Sequence, residues 1–241
     1  MNLTQESIIE NQHLITDSQQ PITIMKLLSI NVSKPKPIQY GGKTIRTGIF
    51  KEPVSGTVML REKNIDGDGQ GDLRVHGGTY KAIYGYPFEH YTHWQQELQR
   101  DDLTYGQFGE NLTVEGLLEK AVHIGDVFQV GSTVKLQITQ PRVPCFKLAY
   151  KMGLPEFPKQ FLESRRVGFY FRVLEEGEIT AGDTIACVES PPESMSITEI
   201  VNLRYFDTDN REKIAQARKL PALSPSWKRD FWRSLQAKNL L

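Results

Sequence analysis

Cys145 lies in the run Gln140-Pro141-Arg142-Val143-Pro144-Cys145-Phe146-Lys147-Leu148, a thiol set between prolines and flanked by two cationic side chains. Cations beside a thiol favour the thiolate, the form that binds metals and attacks electrophiles. Pro141 and Pro144 lack a backbone donor and fix φ, so the run reads as a rigid, extended loop after a strand. In an extended chain residues two apart share a face, which sets Lys147 on the side of Cys145. The competing reading is a buried thiol acting as a small hydrophobe, the common fate of free cysteines.

Two further clusters combine polar side chains with glycine. Asp72-Leu73-Arg74-Val75-His76-Gly77-Gly78-Thr79-Tyr80-Lys81-Ala82 holds paired glycines, which allow unusual φ and leave N–H groups free to meet an anion. Arg74, His76 and Lys81 would reinforce a phosphate site there; a turn between strands uses the same residues. In Phe108-Gly109-Glu110-Asn111-Leu112, Glu110 and Asn111 can hydrogen-bond a polar ring or cap a turn. Asp66-Gly67-Asp68-Gly69-Gln70-Gly71 imitates the first half of an EF-hand loop. Position twelve, where a bidentate glutamate belongs, is Gly77, which argues against calcium. His90 and His93 have no third ligand near them in sequence and read as surface or core histidines rather than zinc ligands. There is no Gly-x-Ser-x-Gly elbow, no Walker loop and no Cys-x-x-Cys.

The elements that must position these clusters are mostly short strands. Period-two patterns predict strands at residues 26–32, 54–60, 81–86, 122–130, 133–139, 168–174 and 184–189, with turns at Gly and Pro. Residues 34–42 read as a loop. Helices are predicted at 87–98 and 157–165. After Pro191-Pro192 three more follow, at 196–203, 207–219 and 225–236. Ser196 and Glu199 form a capping-box pattern, and Asp207 and Ser224 or Ser226 read as the other caps. The fold class is mainly β with helices (α+β), a barrel or sandwich with a small helical tail. Residues 1–24, rich in Gln, Asn, Ser and Thr, read as a poorly ordered leader, 25–190 as the β domain and 191–241 as a three-helix domain.

The 241 residues carry 29 basic and 29 acidic side chains, so no net charge argues for nucleic acid or an anionic membrane as partner. Hydrophobic residues make up 39%, which suits a real core, and no apolar run approaches the ~20 residues of a membrane span. The stretch before Lys26 has no cation and no long apolar run, which argues against a secretory signal. Cys145 and Cys187 are the two cysteines of the chain, and the context reads as reducing and cytoplasmic.

In chain order, His76-Gly77-Gly78 before Lys81-Ala82, the Phe108–Leu112 cluster and the Cys145 run resemble the MOSC domain. That is the C-terminal domain of molybdenum cofactor sulfurases, also found alone. Within that family the chain is most similar to the bacterial YiiM-like, hydroxylaminopurine-resistance branch, whose small three-helix domain corresponds to residues 191–241. The resemblance implies a β-barrel-like domain resembling the pyruvate kinase β-barrel and a molybdenum cofactor of the molybdopterin type. It implies Cys145 as the catalytic residue and molybdenum ligand, and Arg74, His76, Gly77, Gly78, Lys81, Glu110, Asn111, Arg142 and Lys147 as cofactor-binding residues. It further implies reduction of N-hydroxylated bases and related compounds with electrons from a separate donor protein, and, at family level, pyridoxal phosphate binding. Two alternatives stand beside it. One is a carrier delivering a Cys145 persulfide or the cofactor to other enzymes; the other is a cofactor-free domain whose pocket takes another anion.

Overall fold

Strands with alternating inward side chains recur between residues 25 and 189, and seven of them close on themselves. The computed structural model describes residues 25–71 and 77–237; the leader at 1–24 lies outside them. β1 (Met25–Val32), β2 (Lys36–Tyr40), β3 (Lys43–Thr47), β4 (Glu52–Val54), β5 (Val58–Arg61) and β6 (Asn64–Ile65) lead to a 3-10 turn at Thr79–Lys81. β7 (Ile83–Pro87), α1 (Glu89–Leu98), β8 (Leu112–Glu115), β9 (Val127–Val130) and β10 (Val134–Pro141) follow. Then come α2 (Phe146–Met152), α3 (Phe157–Glu163), β11 (Phe169–Glu175), β12 (Gly177–Ile179) and β13 (Thr184–Glu189). α4 (Ile197–Tyr205), α5 (Arg211–Lys219) and α6 (Pro225–Ala237) end the described chain.

Seven strands form a closed barrel in the order β1-β8-β7-β11-β10-β9-β13. β13 returns to β1 with Ile185 opposite Met25 and Thr184 opposite Lys26. β7 and β8 run parallel, the other barrel pairs antiparallel. Closure leaves these strands no free edge. β11 shows the alternation that fills the interior: Phe169, Phe171 and Val173 are buried and join Leu27, Ile30, Val114, Leu136 and Ile138 in one cluster. Each such side chain contributes about 1.5–3 kcal/mol on burial. The terminal helices share this core, through Ile197, Ile200, Leu203, Trp227 and Phe231. Backbone bonds stitch them on: Ile197 N–H donates to the Val122 carbonyl at 3.0 Å and Ser224 N–H to Thr139 at 3.2 Å. The Ser196–Glu199 capping box is formed at the start of α4. No helix among the described residues is long and apolar enough to cross a membrane.

Several local expectations need correction. Residues 34–42 form most of a hairpin rather than a loop: Gly41 (φ 57°) and Gly42 (φ 71°) make the left-handed two-residue turn that matches strand twist. Pro35 precedes the hairpin and Pro37 lies on it, which is tolerated because β2 and β3 pair only with each other. The 54–60 strand breaks into β4 and β5. The 122–130 strand starts only at Val127, because the Asp126 carboxylate accepts the His123 N–H (2.7 Å) and turns the chain. Pro87 ends β7 instead of opening α1. α5 is capped by Asn210, which accepts the Lys213 N–H, in place of Asp207. Most consequential, α2 starts one residue after Cys145. Pro144 sits outside the helix, where its missing N–H breaks no helical bond. Lys147 is therefore in a helical first turn, and the extended-chain argument that aligned it with Cys145 does not hold.

Candidate functional site

An aromatic layer fixes α2 and with it Cys145. Tyr86, Trp94, Phe108, Phe157 and Phe161 are buried, and Leu148 and Met152 of α2 pack among them. Trp94 Nε1 donates to the Tyr86 hydroxyl (2.7 Å), which donates to the Arg166 carbonyl (3.1 Å). Beside this layer lies an open cleft. Its walls come from segments distant in sequence: the exit of β3, the 68–71 loop, Lys81 and Tyr84, Asn111, the Arg142–Lys147 run and Tyr170.

Arg142 is 6% exposed, and its guanidinium carbon sits 5.3 Å from the ring centres of Tyr84 and of Phe161. Its Nη1 has no hydrogen-bond partner among the described residues, and no carboxylate there pairs with it. A buried cation lacking a counter-charge is unfavourable, so this group calls for an anion from the cleft. Burial pushes the Tyr84 and Tyr170 hydroxyls up, which keeps both neutral next to the cation. Lys51 and Asp68 form a buried ion pair on another wall. Burial holds the Lys51 ammonium below the usual lysine range, with Asp68 pulling it back up. Asp68 also accepts from Ser33 N–H (2.8 Å) and Asn111 Nδ2 (3.0 Å), tying the 68–71 loop to β8. Asp66 faces Arg61 (2.7 and 2.9 Å), so the two aspartates of the EF-hand-like run serve separate cations.

Of the residues singled out by sequence, Cys145, Arg142, Lys147, Lys81 and Asn111 line this one cleft. Cys145 is half-buried. Burial lowers the Lys81 ammonium, opposed by Asp230 of α6, so the helical tail acts electrostatically on the cleft. Gly77 and Gly78 do not line it; Gly78 accepts the Lys81 N–H (2.9 Å) and sets the turn that presents Lys81. Arg74 and His76 lie outside the described residues. Glu110 points into the interior, fully buried, accepting from Tyr91 Oη, from Gly106 N–H (2.9 Å), from Phe108 N–H (3.0 Å) and from Thr113 Oγ1 (3.1 Å). It braces the floor rather than meeting a ligand. His90 is buried against Glu119 (2.6 Å), which also accepts the Gly168 N–H (2.8 Å). Sequence reasoning missed Lys51, Asp68, Tyr84 and Tyr170. Tyr84 and Tyr170 are cross-strand partners on β7 and β11, and nothing local distinguishes them from core aromatics.

Lys151 of α2 clamps the cleft's back wall, donating to the carbonyls of Ile49 (3.1 Å) and Gly106 (2.6 Å). Burial pushes its ammonium down to about 8 from the usual 10.5. The unfolded chain therefore holds more protons between those values, and this group's contribution to stability rises as pH climbs from about 8 to 10.5. Urea unfolding of wild type against Lys151→Met should show the difference shifting toward wild type over that window. A pH-independent difference would count against the assignment.

The MOSC domain profile matches residues 72–186, and the profile of the YiiM-like 3-alpha helix domain matches residues 195–236. YflK of Bacillus subtilis (strain 168) is 43% identical over 205 residues, covering 85% of this chain and 92% of its own. A protein named reductase from Gibberella moniliformis is 31% identical over 81% of this chain, but this spans only 35% of its own length. The crystal structure of YiiM from Geobacillus stearothermophilus is similar at a TM-score of 0.75 and 38% identity, covering 88% of this chain and 99% of that one. Barrel, helical tail and sequence agree: the chain belongs to the YiiM-like branch of the MOSC-domain family.

Proposed function

We propose that this protein acts in the cytoplasm, holds a molybdopterin-type molybdenum cofactor in the cleft and reduces N-hydroxylated bases and related compounds. The observation that carries the reading is Arg142, a buried guanidinium with an unpartnered nitrogen in the same cleft as Cys145. A pterin phosphate answers that cation, helped by Lys147 and Lys81, through charge-assisted bonds. The Cys145 thiolate is a soft donor suited to a sulfur-rich metal shell. Asn111 lines the same cleft, its amide held in place by Asp68, the Asn31 carbonyl and the Tyr84 N–H. When bound, the cofactor supplies the redox chemistry, and the protein supplies orientation and charge. Overall, an N–OH group takes two electrons and two protons to give N–H and water. The electrons come from a separate donor protein, since two cysteines cannot hold an iron–sulfur cluster. The reductase-named relative supports an oxidoreductase role at family level.

The test is metal and phosphorus analysis of the protein purified from a host that makes the cofactor. Close to one molybdenum per chain is expected. Arg142→Met should cut retention at least about tenfold while leaving the ligand-free fold no less stable, because it removes a buried unpaired cation. Full retention in that variant would remove the reading. A persulfide mass on the Cys145 peptide without molybdenum would favour the carrier alternative, and a lysine adduct after borohydride reduction would indicate pyridoxal phosphate.

A further inference from the structure

We infer that the face around the cleft mouth is the docking surface for a small acidic electron-carrier protein, an inference that rests on the reductase reading above. The centre of this face is apolar and exposed. Tyr40, at the tip of the β2–β3 hairpin, stacks on Phe146 at 4.4 Å between ring centres. Tyr40 is 46% exposed, Phe146 37% and Val143 44%. Tyr150, one helical turn beyond Phe146 on α2, is 41% exposed and continues the patch. Large apolar side chains clustered in the open mark interaction sites more often than chance surface.

The rim is cationic. Lys34, Lys36, Lys43 and Arg46 stand exposed along residues 33–47 and Lys147 is half-buried at the cleft, and neither residues 33–51 nor residues 140–154 hold an acidic residue. The chain as a whole carries no net charge, so this is a concentration of positive charge on one face. A ligand in the cleft does not account for it, because Lys36, Lys43 and Arg46 are exposed on the hairpin and do not line the cleft. The Lys36–Glu52 contact (3.4 Å) is between largely exposed groups and neutralises little.

A partner must therefore present acidic side chains around a small apolar centre, and redox encounters use patches of this limited size. Location names the kind of partner. Phe146 is bonded in sequence to Cys145, so a carrier seated on the Tyr40–Phe146 stack lies beside the residue assigned to the metal. The carrier is oxidised there, and its electrons, two per N–OH, leave with two protons as N–H and water.

The experiment uses the full chain, loaded with cofactor, and two acidic probes, a flavodoxin and a [2Fe–2S] ferredoxin. Titration calorimetry at low and high salt is compared for wild type, Lys43→Glu and Lys43→Glu/Arg46→Glu. Binding of at least one probe should weaken on the order of tenfold or more in the double variant and fall steeply with salt. Dithionite-driven turnover should be unchanged by the same substitutions. Salt-insensitive binding, equal binding by the double variant, or a homodimer that the double variant dissociates would each overturn the proposal. Absence of dithionite-driven turnover in wild type would instead strike the reductase reading, while salt-dependent, variant-sensitive probe binding would still support the docking face.

Discussion

On the proposed reading, Cys145→Ala is expected to yield a folded protein that neither retains molybdenum nor turns over N-hydroxylated substrate. The folding half follows from geometry. Cys145 is half-buried and occupies the cap position of α2 without making a side-chain cap bond, so its sulfur removes nothing that α2 depends on. α2 is held instead by Leu148 and Met152 in the aromatic layer and by Lys151 on two carbonyls. Unfolding midpoints should stay within a few degrees of wild type. The chemical half follows from metal binding. Loss of a residue that only orients a metal ligand costs 10–100-fold in affinity or activity, so loss of the ligand itself should exceed about 100-fold. Cys145→Ser should fail alike, since a hard hydroxyl replaces a soft thiolate. Molybdenum content and turnover of N-hydroxylated substrate, measured on one preparation, check both; wild-type metal and turnover in Cys145→Ala would end the assignment.

The second large effect is on stability. Glu110→Ala removes an acceptor shared by the Tyr91 hydroxyl, the Gly106 and Phe108 amides and the Thr113 hydroxyl, all in the interior. Burial pushes the Glu110 carboxyl up, and these donors pull it back. Without the carboxylate the donors are stranded away from water, and the expected loss is about 3–5 kcal/mol. Against a total of about 5–15 kcal/mol for a typical domain, that is a large share. Urea unfolding should show a lower midpoint with little change in slope. A loss below about 1 kcal/mol would mean that Glu110 is not the brace it appears from its bonds. Thr113 also bonds Asn31 (3.1 Å), so the damage should spread to β1.

How far the sequence revealed this molecule depends on the range over which each signal acts. Local signals transferred well. Ser196 and Glu199 are three residues apart, and their reciprocal bonds need nothing beyond that turn. Most barrel strands were visible because alternation is written in neighbouring residues, as in β11. Proline misled at two places for the same reason: a missing N–H matters only where a bond was needed. Pro144 ends just before α2 and Pro37 lies on a hairpin whose strands pair only with each other, so neither breaks anything. The cleft residues divide likewise. The Cys145 run advertised itself by composition, whereas Lys51 and Asp68 become partners only when the chain folds back between them. Glu110 showed the opposite limit. Its motif marked an important residue, but type and spacing do not reveal which way a carboxylate points.

The pairing of Met25 with Ile185 and of Lys26 with Thr184 has a consequence for biosynthesis. The ring is zipped by the first and last of its strands, so every strand between them must leave the ribosome before the ring can shut. Until then Met25 and Lys26 of β1 and the outer margin of β9 stand unpaired, an invitation to strand-to-strand aggregation. Ordering across such a long stretch of chain also makes assembly slow. The helical tail, emerging after the barrel strands and sharing the barrel's interior, adds its own apolar contacts to hold that closure.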